Sequence, residues 1–397
     1  MGTGFRTFVV AAGVLAGVAA CGATPPAAPP SGGASESSSH GHGGPPPAAA
    51  PLRAGERFQE VGLGQPYRPV PPEGGTDEYR CFLIDPRLTE PAYLTGSQFL
   101  PQNAELVHHG IFYSIPASAV AAANDVDART EGDGWQCFGG SGLDDGANAG
   151  GDDPSSYIGA WAPGHAETLI GERTGYRLEA GSRIVLQVHY NLLSTKGKPG
   201  PTDQSSIRLR MLPGTAEVTP LVGSLLPGPI ELPCTPQESG PLCDREAAIA
   251  DLVKRTGADA REEVDGLNKL CNQGRPPVPG DTQHCDHKVP QPVLLYSLAP
   301  HMHLLGRSIS VELNPGTPNA RMLLDQPGYN FDDQSEQVLP EPVRIDAGDT
   351  IRVTCTHDAS LRSKLPQLKP LQPRYVVWGD GTSDEMCLAI LTVTGKF

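Results

Sequence analysis

"EAGSRIVLQVHYN", residues 179–191, recurs as "DAGDTIRVTCTHD", residues 346–358, and this recurrence decides the fold to be expected. Ala180 aligns with Ala347, Gly181 with Gly348 and Ile184 with Ile351. A glycine turn running into alternating β-branched residues is the pattern of a tight turn feeding a strand. One copy in each half of a 397-residue chain predicts two domains of one type.

Strand-like runs of the same kind flank the repeat: "LVHHGIFYSI" (106–115), "PVLLYSLAPHMHLLG" (292–306) and "EMCLAILTV" (385–393). With 47 Gly and 41 Pro, the chain favours turn-rich β architecture over helical packing. The expectation is an all-β protein of two β-sandwich domains, 58–213 and 214–397. The one convincing helical segment, residues 245–270, lies in an insertion (234–285) in the second domain. A formal net charge of -15 opposes phosphate backbones, so nucleic acid is not expected as a partner.

Residues 1–20 read as an export signal, with Arg6 before an apolar run from Phe8 to Ala20 that is too short to span a bilayer. Val18, Ala19 and Ala20 precede Cys21 in a pattern that resembles a bacterial lipobox. A lipidated Cys21 would place the protein on a cell-envelope membrane. From 21 to 57 the Pro, Ala, Gly and Ser residues predict a flexible tether, in which His40 and His42 read as solvated.

Export implies an oxidising compartment, and eight cysteines remain once Cys21 is set aside. Spacing alone does not pair them. For the insertion we expect nested bridges, Cys243 with Cys271 inside Cys234 with Cys285.

Candidate metal ligands stand out next. His301 and His303 leave one face of a strand if their stretch is extended. Met302 between them then faces the core. His108 and His109 are adjacent, so sharing one ion requires a backbone kink, or Nδ1 from one ring and Nε2 from the other. His189 lies on the repeated strand. His357 is one residue out of register with it and is expected on the opposite face. Met386 adds a thioether, and imidazole with thioether is a copper preference. Other candidates read as surface features: the Gly-rich stretch 139–156, "DVDARTEGDG" (125–134), His165, His284 and His287.

Taken in order, "VHHGIFYSIP", "VLQVHYN", "APHMHLLGRS", "VTCTHD" and "WGDGTSDEMC" resemble the copper type II, ascorbate-dependent monooxygenases over residues 60–397. The resemblance implies two jelly-roll-type sandwiches facing across a cleft, with one copper each. It gives His108, His109 and His189 to an electron-transfer copper, with Gln187 supporting them from behind. It gives His301, His303 and Met386 to the copper where dioxygen binds. It also pairs Cys355 with Cys387, and Cys81 with Cys137 is the corresponding first-domain pair.

The implied reaction is C–H hydroxylation with O2 and ascorbate or a similar one-electron donor, by a monomer acting on a small molecule. Peptide-hydroxylating members hold a substrate carboxylate with an arginine and a tyrosine where this chain has Ala299 and Ile390, and carry an asparagine where it has Leu388. That departure predicts an apolar or neutral substrate. The alternative is a copper-carrying lipoprotein without oxygenase activity.

Overall fold

The computed structural model describes residues 48–71, 77–137, 140–143, 155–161, 166–192, 201–331, 334, 336–381 and 383–395. The export signal, Cys21, His40, His42, His165 and most of the Gly-rich stretch lie outside the described residues.

Both copies of the repeat form the same unit. Gly181 and Gly348 have φ of +76° and +89°, left-handed values that favour glycine. Each donates its amide back to a preceding carbonyl, that of Leu88 or Val289, at 2.8 Å. The strands that follow are Arg183–Asn191 and Thr350–His357. Along the second, burial alternates strictly, as a half-buried strand requires. The first is buried on both faces through most of its length, because its sheet is covered on both sides.

The chain forms an all-β pair of sandwiches. In the first, a sheet of Trp135–Gln136, Asp77–Ile84, Arg183–Asn191, Val107–Ile115 and Ser156–Trp161 packs on Arg57–Gly62, Ser206–Pro213, Ala92–Leu100 and Thr174–Leu178. In the second, Thr282–Lys288, Thr350–His357, Gly306–Leu313 and Arg321–Gln326 face Thr219–Pro227, Leu388–Val393, Val293–His301 and Gln337–Ile345. Each sandwich has its own core, one around Phe99, Phe112 and Leu186, the other around Val311, Val353 and Leu391. A parallel pairing of Thr219–Leu221 with Thr174–Tyr176 joins one layer of each into a continuous sheet.

The helical segment divides at Gly257 into α2 (Arg245–Thr256) and α3 (Asp259–Cys271), which pack together as a hairpin. An additional helix, α1 (Val120–Arg129), occupies part of the stretch expected to be a surface loop.

Four disulfides form. Cys81 pairs with Cys137 and Cys355 with Cys387. The nested expectation is corrected: Cys234 pairs with Cys243, and Cys271 with Cys285. Cys271 ends α3 against the strand Thr282–Lys288, which puts its Cα 4.6 Å from that of Cys285. Cys243 is left to close a short loop back to Cys234.

Arg210 organises the first sandwich. Its guanidinium donates to Glu56 at 2.7 Å and to Glu167 at 2.9 Å, and all three side chains are buried. Burial pushes the Glu56 carboxyl up, but donation from Arg210, Thr95 and the Arg53 amide outweighs it and holds the group below its ordinary value. Arg210→Met would leave two carboxylates buried without their cation, and we predict a loss of about 3–5 kcal/mol in urea unfolding. Because the folded-state value is lowered, the stability contributed by Glu56 is present above the ordinary carboxylate range. It is lost as pH falls through the lowered value. Glu56→Gln should therefore be more destabilising at neutral pH than at acid pH, as unfolding at both would measure.

Candidate metal centre

The first cluster grows from strand pairing. His109 lies directly opposite His189 on neighbouring antiparallel strands, and Tyr79 opposes His189 from the other side. The register slips between Val107 and His109, so His108 sits in an irregularity that turns its ring toward the same point. Of the two ways for adjacent histidines to share an ion, the structure takes the kink. The Nδ1 atoms of His108 and His189 each lie 3.3 Å from Nδ1 of His109. The three rings offer ligand atoms within 4.8 Å of one another.

The group behind His189 is Asp77, whose carboxylate accepts from Nε2 at 2.9 Å and so leaves Nδ1 as the lone-pair nitrogen facing the cluster. This corrects the expectation for Gln187, whose amide donates to the Gly140 carbonyl at 2.7 Å. Tyr79 stacks on the His189 ring at 4.1 Å and donates its hydroxyl to the Asp380 carbonyl. Burial, with neighbouring imidazoles adding to it, pushes His109 well below the ordinary histidine range. A neutral ring is the form that ligates metal.

The second cluster forms where a strand ends. His301 is the last residue of Val293–His301, and the chain then turns through His303 to Gly306. A side chain at Gly306 would stand 2.9 Å from the Met302 Cβ, so the turn needs glycine. Met302 packs into the core as expected. The Tyr329 hydroxyl brackets its backbone, accepting from the amide at 2.9 Å and donating to the carbonyl at 2.6 Å.

Glu385 fixes the same turn from beneath, accepting the amides of His303 and Leu305 at 2.9 and 2.6 Å. Sequence reasoning passed over this residue, although a glutamate beside the candidate methionine in an apolar run was a usable signal. His357 is buried behind this cluster, with Nε2 3.2 Å from the Glu385 carboxylate, and is not aimed at the ligand set.

The rings of His301 and His303 are perpendicular, with centroids 5.3 Å apart. Gln334 accepts from His301 Nδ1 at 2.6 Å, and the Asp384 carbonyl accepts from His303 Nδ1 at 3.3 Å. Both rings therefore present Nε2. That atom of His303 is buried and has no hydrogen-bond partner among the described residues, as a nitrogen awaiting a metal would be. Burial first, and His303 next, push His301 down to about 3. Met386 is buried and lines one cavity with His301 and His109.

The two sets approach more closely than a broad cleft implies. The His109 and His301 rings lie 5.9 Å apart, and Phe331 stacks on His108 at 4.4 Å while meeting His303 edge-on at 6.3 Å. The continuous sheet holds the sandwiches side by side, which narrows the space to a cavity of about 90 Å3.

Ala299 and Ile390 oppose each other on adjacent strands, as do His301 and Leu388, and these residues line the cavity beside Met386. The lining contains no lysine or arginine among the described residues. Ala299, Leu388 and Ile390 contribute no hydroxyl, but Tyr79, Tyr113, Tyr157 and Thr168 elsewhere in the lining do. His287 is half-buried and donates to the Pro227 carbonyl at 2.9 Å, while His284 is exposed; neither joins a cluster.

Asp77→Ala should weaken metal binding at the three-histidine set by roughly 10–100-fold and leave the other set unchanged. Titration of the metal-free protein with Cu(I) in competition with a chelator would measure both.

Residues 281–392 match the family described as copper type II ascorbate-dependent monooxygenase, C-terminal domain. Among solved structures, an allantoicase is 13% identical over 80% of this chain and 78% of its own, with a TM-score of 0.18. An allantoicase of Saccharomyces cerevisiae is 11% identical over 79% and 77%, also at 0.18. A Paenibacillus xanthan lyase is 10% identical over 85% of this chain and 25% of its own, again at 0.18. Scores this low carry no argument. The matched residues hold most of the second sandwich and carry His301, His303 and Met386, so it is this part of the chain that is similar to the C-terminal domain of the copper type II ascorbate-dependent monooxygenases.

Proposed function

We propose that the protein is a copper-dependent monooxygenase that hydroxylates a C–H bond of an apolar or neutral small molecule, with ascorbate or a similar one-electron donor. One observation carries this reading: His109 of the three-imidazole set and His301 and Met386 of the imidazole–thioether set line a single cavity, with no lysine or arginine among its described lining residues. A metal carrier has no use for two unlike sets beside one shared cavity.

The residues fit two coppers. His108, His109 and His189 would hold one and His301, His303 and Met386 the other; all six are neutral donors, and the thioether favours the reduced ion. When bound, copper supplies one-electron redox chemistry and a position for dioxygen. In the overall reaction one oxygen atom enters the C–H bond and the other leaves as water, with two electrons drawn from the donor and two protons from solvent. Ala299, Leu388 and Ile390 form the apolar wall against which substrate would rest beside Met386. Tyr157 and Trp161 add aromatic surface to the same lining. Glu336 is also in the lining, which disfavours a substrate carboxylate. Export and lipidation at Cys21 would hold the enzyme at a cell-envelope membrane.

The wild type should bind two equivalents of copper and consume O2 with ascorbate when given a suitable neutral substrate. Met386→Ile should weaken the second equivalent and abolish substrate-dependent O2 uptake; unchanged uptake would rule out the role given to Met386. Glycine-extended peptides should be poor substrates, and efficient turnover of them would refute the apolar-wall reading.

A further inference from the structure

The hairpin of α2 and α3 ends before residue 281, where the family match begins, yet it reaches the metal centre. Arg255, in the last turn of α2, grips Asp384 with both arms of its guanidinium. Nη1 donates to Oδ2 at 2.8 Å and Nη2 to Oδ1 at 2.7 Å. The Asp384 side chain is only 5% exposed, so the fork holds a carboxylate with little competition from water. Asp251 steadies the fork by accepting from Arg255 Nε at 2.9 Å and from Arg374 at 3.0 Å. Leu252 of the same helix comes so close to Gly379 that a Cβ there would lie 3.0 Å from its Cδ1.

What Asp384 does next gives the grip its meaning. Its carbonyl accepts from His303 Nδ1, and a carbonyl can only accept, so this contact places the ring proton on Nδ1 and frees Nε2. Glu385 follows with its hold on the His303 and Leu305 amides, and Met386 comes directly after.

Anchorage of the hairpin does not require this fork. Arg245 already binds Glu231 at 2.6 Å, Asn268 donates to the same carboxylate at 2.8 Å, and the Cys271–Cys285 bridge fixes the far end. Ile249, Leu252 and Val264 bury the apolar face of the hairpin in the core.

We propose that α2 is a positioning element of the methionine-bearing set, in which Arg255, acting through Asp384, fixes the tautomer of His303 and the reach of Met386. The part concerning Met386 and copper rests on the function proposed above. The control of His303 is a property of the chain alone.

The test starts with metal-free full-length protein labelled with 15N-histidine. In the wild type, His303 should show a protonated Nδ1 and a bare Nε2. Arg255→Gln should move the His303 signals toward a mixture of tautomers and leave those of His108, His109 and His189 in place. Arg255→Lys, which keeps the charge without the fork, should give a smaller shift. Arg245→Gln cuts the other attachment of the hairpin and should leave His303 unchanged. If Arg255→Gln does not fold, the near-isosteric Asp384→Asn carries the same expectation.

With Cu(I) added, Arg255→Gln should weaken the second site by at least roughly tenfold and diminish the copper–sulfur scattering in X-ray absorption, with the first site unaffected. Unmoved His303 signals in both Arg255→Gln and Asp384→Asn, or an equal shift in Arg245→Gln, would overturn the proposal. Movement of His303 in Arg255→Gln, together with a wild type that takes up no second copper, would sink the function proposed above and uphold the control by Arg255.

Discussion

Each imidazole whose outer nitrogen can be traced in this centre commits that nitrogen to an acceptor and so aims the other at a common point. Asp77 takes Nε2 of His189, Gln334 takes Nδ1 of His301, and the Asp384 carbonyl takes Nδ1 of His303. The outer hydrogen bond selects the tautomer, and the tautomer decides which lone pair is offered. Burial then removes the competing protonated state, as the lowered values of His109, His301 and His303 show. Loss of an outer acceptor would therefore leave the rings present and the ligand set undefined.

These acceptors are correctly placed because the fold fixes their backbones. The central strand Arg183–Asn191 buries one face in the sandwich core through Ile184, Leu186, Val188 and Tyr190. The other face carries Gln187 and His189, and strict alternation sends them toward the second sandwich. The parallel junction between Thr174–Leu178 and Thr219–Pro227 holds the two sandwiches in one sheet and brings His109 and His301 to 5.9 Å. Sheet continuity thus brings the two walls of the cavity together.

Much of this was legible in the sequence, and for local reasons. The turn glycines Gly181 and Gly348 declared two copies of one unit because only a left-handed turn ahead of a strand calls for that pattern. Ala299, Leu388 and Ile390 were legible only through the family resemblance, and the strand register that couples them to His301 is what the structure adds. The nested disulfides failed because pairing depends on where α3 ends against a strand, a tertiary fact absent from spacing. Asp77 and Glu385 escaped notice for the same reason: each acts across strands or turns, on residues distant in the chain. α1 was missed because its short run, largely alanine and aspartate, has little apolar periodicity.

The chain carries fifteen more acidic than basic residues, yet its two ligand sets contain no carboxylate among the six side chains assigned to them. An acidic surface attracts divalent cations without distinguishing among them, and carboxylate oxygens would favour hard ions such as calcium or magnesium. Keeping the acids one layer back reverses that preference. Asp77 stands behind a nitrogen ligand and Glu385 behind the turn that carries His303, so their charge stabilises a bound cation while the contacting atoms remain imidazole and thioether. A set of that composition discriminates by softness, and the oxidation state it favours most is the reduced one. Under the proposed function, selectivity for copper and readiness for one-electron chemistry would follow from one arrangement: neutral donors in contact and acids behind them, with the rings of Phe331 and Tyr79 stacked on His108 and His189.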